Sequence, residues 1–225
     1  MPERKFYDNL YAVQDDLMKI VQDQEVDFYL TGGTALSRCY LNHRYSDDLD
    51  FFVNQAPDFK KQTERVVTAI RKGGLQIELG TASESFLRIT VLIDEVSLKI
   101  DFVNDVIYHY GDFEAAHFFH KIDSWRNIIS NKLSAVSRLE PKDIADLLFI
   151  AKKFAFEWPD IMEEAKSKDL WVEPLSVSRI IKEFPIDLFD SVKWITPVAK
   201  KKLSHELHQM HDDIFYGHSN SLAEY

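Results

Sequence analysis

Two aspartates, Asp48 and Asp50, stand one residue apart in the stretch "DDLDFFV", among Leu49, Phe51 and Phe52. In an extended chain alternate residues project to one side, so Asp48 and Asp50 point together while Leu49 and Phe51 turn toward a core. Paired carboxylates repel one another, are costly to bury and are usually excluded from strands. A hard divalent cation, Mg2+ or Mn2+, is the economical neutraliser, because carboxylate oxygens are its preferred ligands. The pattern recurs in "LKIDFV", where Lys99 and Asp101 share one strand face and Leu98, Ile100 and Phe102 the other. If the two strands are neighbours, Asp101 completes a triad. Such a triad can hold two metal ions, activate an attacking hydroxyl and stabilise a leaving phosphate. Asp47 lies on the opposite face and is expected to be a bystander. An Asp-x-Asp alone is weak evidence, since both acids could face water on a one-sided sheet.

The elements upstream shift that balance. An apolar run, "VDFYL" (26–30), leads into Gly32-Gly33-Thr34 and then "ALSRCYLN", which reads as strand, glycine turn and short helix over 34–42. Glycines permit positive φ and a close approach of backbone to ligand. A helix start offers free N–H groups and a favourable dipole to a phosphate, and Thr34 adds a hydroxyl there. The same glycines could serve a plain turn; it is the order strand, Gly-Gly-Thr, helix, Asp-x-Asp strand, distant strand aspartate that carries weight.

That order resembles the DNA polymerase beta-like nucleotidyltransferase superfamily, whose signature is a strand ending in Gly-Gly or Gly-Ser, a helix and an apolar-flanked Asp-x-Asp. Gly32, Gly33, Thr34, Asp48, Asp50 and Asp101 fall on those positions. The longer string "GGTALSRCYLNHRYSDDLDFFV" is similar to the AbiEii type of nucleotidyltransferase toxin. Arg44 and Ser46 match its arginine and serine, and Lys99 with Asp101 matches its Lys-x-Asp. "NKLSAVSRLEPKDIADL" matches the later helical pair through Lys132, Arg138, Asp143 and Asp146. The resemblance implies a metal-dependent transfer of a nucleoside monophosphate from a nucleoside triphosphate to an acceptor hydroxyl. It also implies an RNA acceptor at the tRNA 3′ end, a toxin role in a toxin–antitoxin or phage-abortive-infection system, and a cognate antitoxin.

On this reading Asp48, Asp50 and Asp101 are catalytic and bind metal. Gly32, Gly33, Thr34, Arg44, Ser46, Lys99, Lys132, Arg138, Asp143 and Asp146 surround the nucleotide. Lys132 would meet phosphates as a point charge. Arg138 would do likewise or brace an acid. Asp143 and Asp146, three apart on one helix face, would position a lysine, a ribose or a metal-bound water. Two other readings remain open at this level: a nucleotide-binding module without catalysis, and a nucleotidyltransferase acting on a small molecule.

The elements that must position these residues follow from periodicity. Phe6, Leu10, Val13, Leu17 and Val21 form one face of an amphipathic helix over 4–24 and are expected in the core. Pro57 opens a helix to about Lys72, which Gly73-Gly74 ends. Residues 75–80, 85–94 and 96–104 read as strands, the last two as a hairpin turning near Asp94-Glu95. After residue 110 the patterns are helical, at 124–139, 142–156, 157–168, 176–184 and 197–214, with Pro141 at a first helical position. The final "YGHSNSLAEY" reads as a loose tail. The expected fold is α+β: a nucleotidyltransferase mixed β-sheet flanked by helices over 1–110, then a helical half over 111–225 that completes the nucleotide cleft. The division falls within 108–123.

Composition bounds the rest. With 225 residues, 45% of them hydrophobic, the chain can bury a real core. A single cysteine, Cys39, makes no internal disulfide, and no apolar run approaches the roughly 20 residues of a membrane span, so a cytoplasmic location is expected. A net charge of −10, spread over both halves, excludes a broadly basic nucleic-acid surface but not a local one. His205, His208 and His211 recur at steps of three, without the flanking ligands that a metal site needs.

Overall fold

A seven-stranded mixed sheet organises the first part of the molecule. The computed structural model describes residues 2–93 and 96–223, without the side chains of residues 2 and 3. Contacts divide the chain into two compact units, residues 1–35 with 46–123 and residues 36–45 with 124–225. In chain order the first unit holds α1 (Pro2–Gln22), β1 (Tyr29–Thr31), α2 (Gly32–Ala35), β2 (Leu49–Asn54) and α3 (Phe59–Lys72). Then come β3 (Gln76–Ala82), β4 (Phe86–Ile93), β5 (Val96–Asp105), β6 (Glu114–Ala116) and β7 (Phe119–Ile122). The strand order is β3-β4-β5-β2-β1-β7-β6. β2 runs parallel to β5 and β1 to β7, whereas the other neighbours are antiparallel.

Alternation decides which side of the sheet is dry. Leu49, Phe51 and Val53 on β2 and Leu98, Ile100 and Phe102 on β5 are buried, and Phe51 stacks on Phe102 at 5.6 Å between ring centroids. The β4–β5 ladder closes at Ile93 opposite Val96, as a hairpin requires; the turn at residues 94–95 lies outside the described residues.

Three expectations need correction. The buried face of α1 is Tyr7, Leu10, Gln14, Leu17, Met18 and Val21, while Phe6 is 48% exposed and Val13 half-buried. The helix is turned so that Tyr7 and Gln14 reach the β2 approach: the Tyr7 hydroxyl donates to Asp47 (2.7 Å) and Gln14 Nε2 to the Ser46 carbonyl (3.1 Å). Second, 114–122 forms the hairpin β6–β7, absent from the sequence reading. Its strands have three and four residues, too short for a period to register, and β7 is held by parallel pairing of Ile122 with Leu30. Third, the tail is tied down as far as it is described. Asn220 is buried and its Nδ2 donates to the carbonyls of Ala151 (2.6 Å) and Phe154 (2.7 Å).

The second unit is helical. It holds the π-helical stretch Leu36–Leu41, α4 (Trp125–Ala135), α5 (Pro141–Lys153), α6 (Trp158–Lys168), α7 (Pro174–Glu183) and α8 (Lys200–Tyr216). Pro141 and Pro174 occupy first helical positions, and Ser124 caps α4 by accepting from the Asn127 N–H (2.9 Å). Among the described residues no helix is long and apolar enough to cross a membrane.

Candidate active site

The strand register builds a polar row across one face of the sheet. Asp50 lies directly opposite Asp101 in the β2–β5 pair, Thr31 opposite Asp50 in β1–β2, and Arg88 opposite Asp101 in β4–β5. Directly opposed residues share a face, so Arg88, Asp101, Asp50 and Thr31 lie side by side, with the Phe51–Phe102 layer behind them. The row continues past Thr31. Its Oγ1 donates to Asp123 Oδ2 (2.5 Å), and the other oxygen of that fully buried carboxylate meets His109 Nε2 at 2.9 Å.

Asp48 precedes β2 and is fixed from two directions. Thr34 is buried, and its hydroxyl donates to the Asp48 carbonyl. Lys99 Nζ stands 2.6 Å from Asp48 Oδ2. Arg88 grips Asp101 with two N–H donors, Nε and Nη2, each at 2.7 Å. Gly32, at φ +67°, passes directly beneath Asp50: a β-carbon there would overlap the carboxylate and stand 3.0 Å from its Cγ. Gly33 is buried beside it. Charge in the row shows in its cations. The hydrogen bonds to Asp101 raise the Arg88 pKa, with the charges of Asp101, Asp48 and Asp50 adding to it. Burial would lower the Lys99 pKa, but the Asp48 hydrogen bond and the three carboxylates outweigh it and hold it raised.

The remaining sequence candidates lie elsewhere. Ser46 is buried, its N–H donating to the Tyr11 hydroxyl oxygen (3.3 Å). In the second unit Arg44, Lys132, Asp143 and Asp146 join in a buried ion network with His43. Arg44 Nε and Nη2 clasp the two oxygens of Asp146 (2.7 and 2.8 Å), and His43 Nε2 reaches the first at 2.8 Å. Lys132 Nζ bridges Asp146 (2.8 Å) and Asp143 (2.5 Å). Two cations and two carboxylates balance. Burial works against every ion here; Arg44 and Lys132 nevertheless hold Asp146 well below the carboxylate range, and Asp146 and Asp143 keep the Lys132 pKa raised. Burial lowers the pKa of His43 more than Asp146 restores it. Arg138 ends a 3-10 turn (Val136–Arg138) and is exposed.

Arg88, His109, Asp123 and His43 were not singled out by sequence reasoning. Arg88 carried the signal that revealed Asp101, a charge inside an apolar strand, "FLRITVLI". Asp123 and His109 carried none, because the strand that delivers Asp123 is too short to read.

Asp48, Asp50 and Asp101 suit a hard divalent cation by donor chemistry and by their arrangement on adjoining strand positions. Among the described residues no three acidic, histidine or cysteine side chains converge closely enough to form a ready cation site. Lys99 and Arg88 instead occupy two of the three carboxylates. The α8 histidines form no such group either: His208 Nδ1 meets the Ser204 carbonyl (2.7 Å), and His211 packs on Phe215.

Residues 17–191 match the family model for the AbiEii nucleotidyl transferase toxin of type IV toxin–antitoxin systems. The chain belongs to the AbiEii family. Nucleotidyl transfer is therefore the chemistry of its family, and the carboxylate row lies within the matched residues. Two solved structures from Helicobacter pylori share the fold of this AbiEii member. JHP933 aligns with 22% identity over 93% of this chain and 92% of its own, at a TM-score of 0.60. The other, assigned as a nucleotidyltransferase, aligns with 22% identity over 92% of this chain and 94% of its own, at 0.61. No curated protein sequence matches the chain significantly.

Proposed function

We propose that this AbiEii protein transfers a nucleoside monophosphate from a nucleoside triphosphate to an acceptor hydroxyl on RNA, and that it acts as the toxin partner of a cognate antitoxin. The observation that carries the reading is the in-register pair Asp50–Asp101 with Asp48 beside it, on a sheet of the AbiEii family. The acceptor oxygen forms a bond to the α-phosphorus, the bond from that phosphorus to the bridging oxygen breaks, and pyrophosphate leaves. Mg2+ or Mn2+, held by Asp48, Asp50 and Asp101, would supply charge neutralisation of the triphosphate and acidify the acceptor hydroxyl.

The chain's own residues account for the rest. Gly32, by lacking a side chain, leaves the Asp50 carboxylate room over the turn. Thr34 fixes the Asp48 main chain. Asp101, sharing a metal, helps to deprotonate the acceptor hydroxyl. Gly33 and Lys99 face the triphosphate. In the second unit Asp143 and Asp146 hold the Lys132 ammonium in place, while Arg44 fixes Asp146, which leaves the ammonium one hydrogen to donate. An RNA acceptor agrees with the toxin role of the family rather than with the net charge of −10, so acceptor identity is the part to test first.

The test is transfer of label from each of the four nucleoside triphosphates to total RNA and, in parallel, to a panel of small-molecule hydroxyls. Wild type is expected to label RNA. Asp48→Ala and Asp50→Ala are expected to lose labelling by at least about a thousandfold with unchanged circular dichroism. Full activity in the double variant would end the carboxylate mechanism, and labelling of a small molecule alone would end the RNA reading.

A further inference from the structure

Arg88 stands where the carboxylate row is most occupied. Its Nε and Nη2 take both oxygens of Asp101 at 2.7 Å, the bidentate geometry that leaves a carboxylate least able to coordinate anything else. Asp101 is nearly buried in this pairing, whereas the Arg88 side chain keeps 43% of its surface in water. The arginine is thus the member of the pair that water reaches. Its stem lies along β4 against Gly80, where a β-carbon would come within 3.2 Å of Arg88 Cγ, and its guanidinium is 5.5 Å from the Phe86 ring centroid. Gly80 and Phe86 shape a track for the arginine stem, and the aromatic face supports the cation along it. The row also sets the sign of the competition. With three carboxylates side by side, cations are favoured there, and the chain supplies its own in Arg88 and Lys99.

We propose that Arg88 holds the place of a divalent cation at Asp101 and releases it to the phosphates of the incoming nucleotide, so that metal and triphosphate bind as a coupled pair. The inference rests on the proposed carboxylate metal site and adds the residue that regulates it. A guanidinium leaving one carboxylate needs another anion. A triphosphate supplies it in the same planar, bidentate form, while the metal takes over the oxygens of Asp101. Metal alone must displace Arg88 into water without compensation, and nucleotide alone meets an arginine already engaged. Together each removes the obstacle to the other, which is positive coupling and therefore reciprocal.

The test measures Mn2+ binding to the full chain by electron paramagnetic resonance, with and without a non-hydrolysable nucleoside triphosphate, for wild type, Arg88→Met and Asp50→Asn. Wild type is expected to bind Mn2+ weakly alone and at least about tenfold more tightly with nucleotide, within the usual range of coupling. Arg88→Met is expected to bind Mn2+ alone about tenfold more tightly than wild type, to bind nucleotide more weakly, and to lose most of the coupling. Asp50→Asn is expected to bind no Mn2+ in either condition. If Arg88→Met leaves Mn2+ affinity unchanged while Asp50→Asn abolishes it, Arg88 merely braces Asp101 and this proposal fails with the metal site intact. If wild type binds no Mn2+ even with nucleotide, the metal site itself fails and takes the proposal with it. Should Arg88→Met not fold, the Nε–H resonance of Arg88 in wild type decides. It is expected to shift when Mn2+-free Mg2+ and nucleotide are added together, and an unmoved resonance overturns the proposal.

Discussion

Gly32 shows how little backbone freedom separates this site from an ordinary turn. Its φ of +67° is unfavourable for any residue with a side chain, and the space that a β-carbon would need is taken by the Asp50 carboxylate. Both constraints act on one atom. Gly32→Ala therefore strains the turn by about 1–2 kcal/mol and displaces Asp50 as well. In a chain of this size the strain lowers the melting temperature by only about 2–8 °C. Nucleotidyl transfer is expected to fall much further, by at least about a hundredfold, since a misplacement of about 1 Å at reacting groups costs that much. Calorimetry beside the labelling assay measures both, and a proportionate loss of the two would mean that Asp50 needs no exact placement. Thr34 is a residue whose role the structure refines. Its hydroxyl hydrogen is spent on the Asp48 carbonyl, so it acts on the site by holding Asp48.

Among the elements, the segment 36–45 is the least expected. It lies between β1 and β2 in sequence yet belongs to the second unit. Its π-helical turn, closed by the Asn42 N–H on the Ser37 carbonyl (2.8 Å), delivers His43 and Arg44 to Asp146 on α5. Main-chain bonds fasten it further, from Tyr45 N–H to the Lys193 carbonyl (2.8 Å) and from Ile195 N–H to the His43 carbonyl (3.1 Å). His43 makes this anchoring pH-sensitive. Its pKa is lowered in the folded state, chiefly by burial beside Phe149, with Arg44 and Lys132 opposing protonation and Asp146 favouring it. Below the ordinary value of 6.5 the unfolded chain takes up a proton that the folded one refuses. Stability is therefore complete above about pH 6.5 and is lost as pH falls below it. His211, also lowered by burial, acts in the same direction. Asp146 adds nothing in that window, because its depressed pKa gives stability that disappears only below 3.8. Thermal unfolding from pH 7.5 to 5.5 is expected to show a falling melting temperature, with a shallower fall in His43→Gln; a flat profile in wild type would contradict the assignment.

At the scale of the whole molecule, the described residues after α8 are part of the second unit. Asn220 closes the C-terminal carbonyls of α5 with two side-chain donors, its N–H donates to the Phe156 carbonyl (2.9 Å), and Asp213 Oδ2 receives the Ser221 N–H and hydroxyl. Asn220→Ala leaves two helix-terminal carbonyls without partners and is expected to cost about 1–3 kcal/mol. Urea unfolding measures it, and a change below about 0.5 kcal/mol would mean that the end adds little. The chain passes between the units three times, with a consequence for fragments. Residues 124–225 alone lack His43 and Arg44, so a separately expressed second half would carry Lys132, Asp143 and Asp146 without the other two members of their network.

Much of the site was legible because charge inside an apolar strand is costly and therefore conspicuous. Asp48, Asp50, Asp101 and Lys99 drew attention on that ground, and it was their order behind Gly32-Gly33-Thr34 that gave them weight. The long amphipathic helices and the β4–β5 hairpin were legible through local periodicity. The tertiary structure decided what locality cannot carry. The strand order β3-β4-β5-β2-β1-β7-β6 is not sequential, so the opposition of Asp50 with Asp101 depends on two strands some fifty residues apart choosing each other. Arg88 gained its meaning only from the strand facing it. Asp123 came to the row behind β7, a strand of four residues held by pairing instead of pattern, and His109 from the segment between β5 and β6. The assignment of 36–45 to the helical unit rests on a buried carboxylate about a hundred residues away. Sequence alone marked candidates for the chemistry, through their charge and their intrinsic backbone preferences; which of them meet was decided by register and packing, which are non-local.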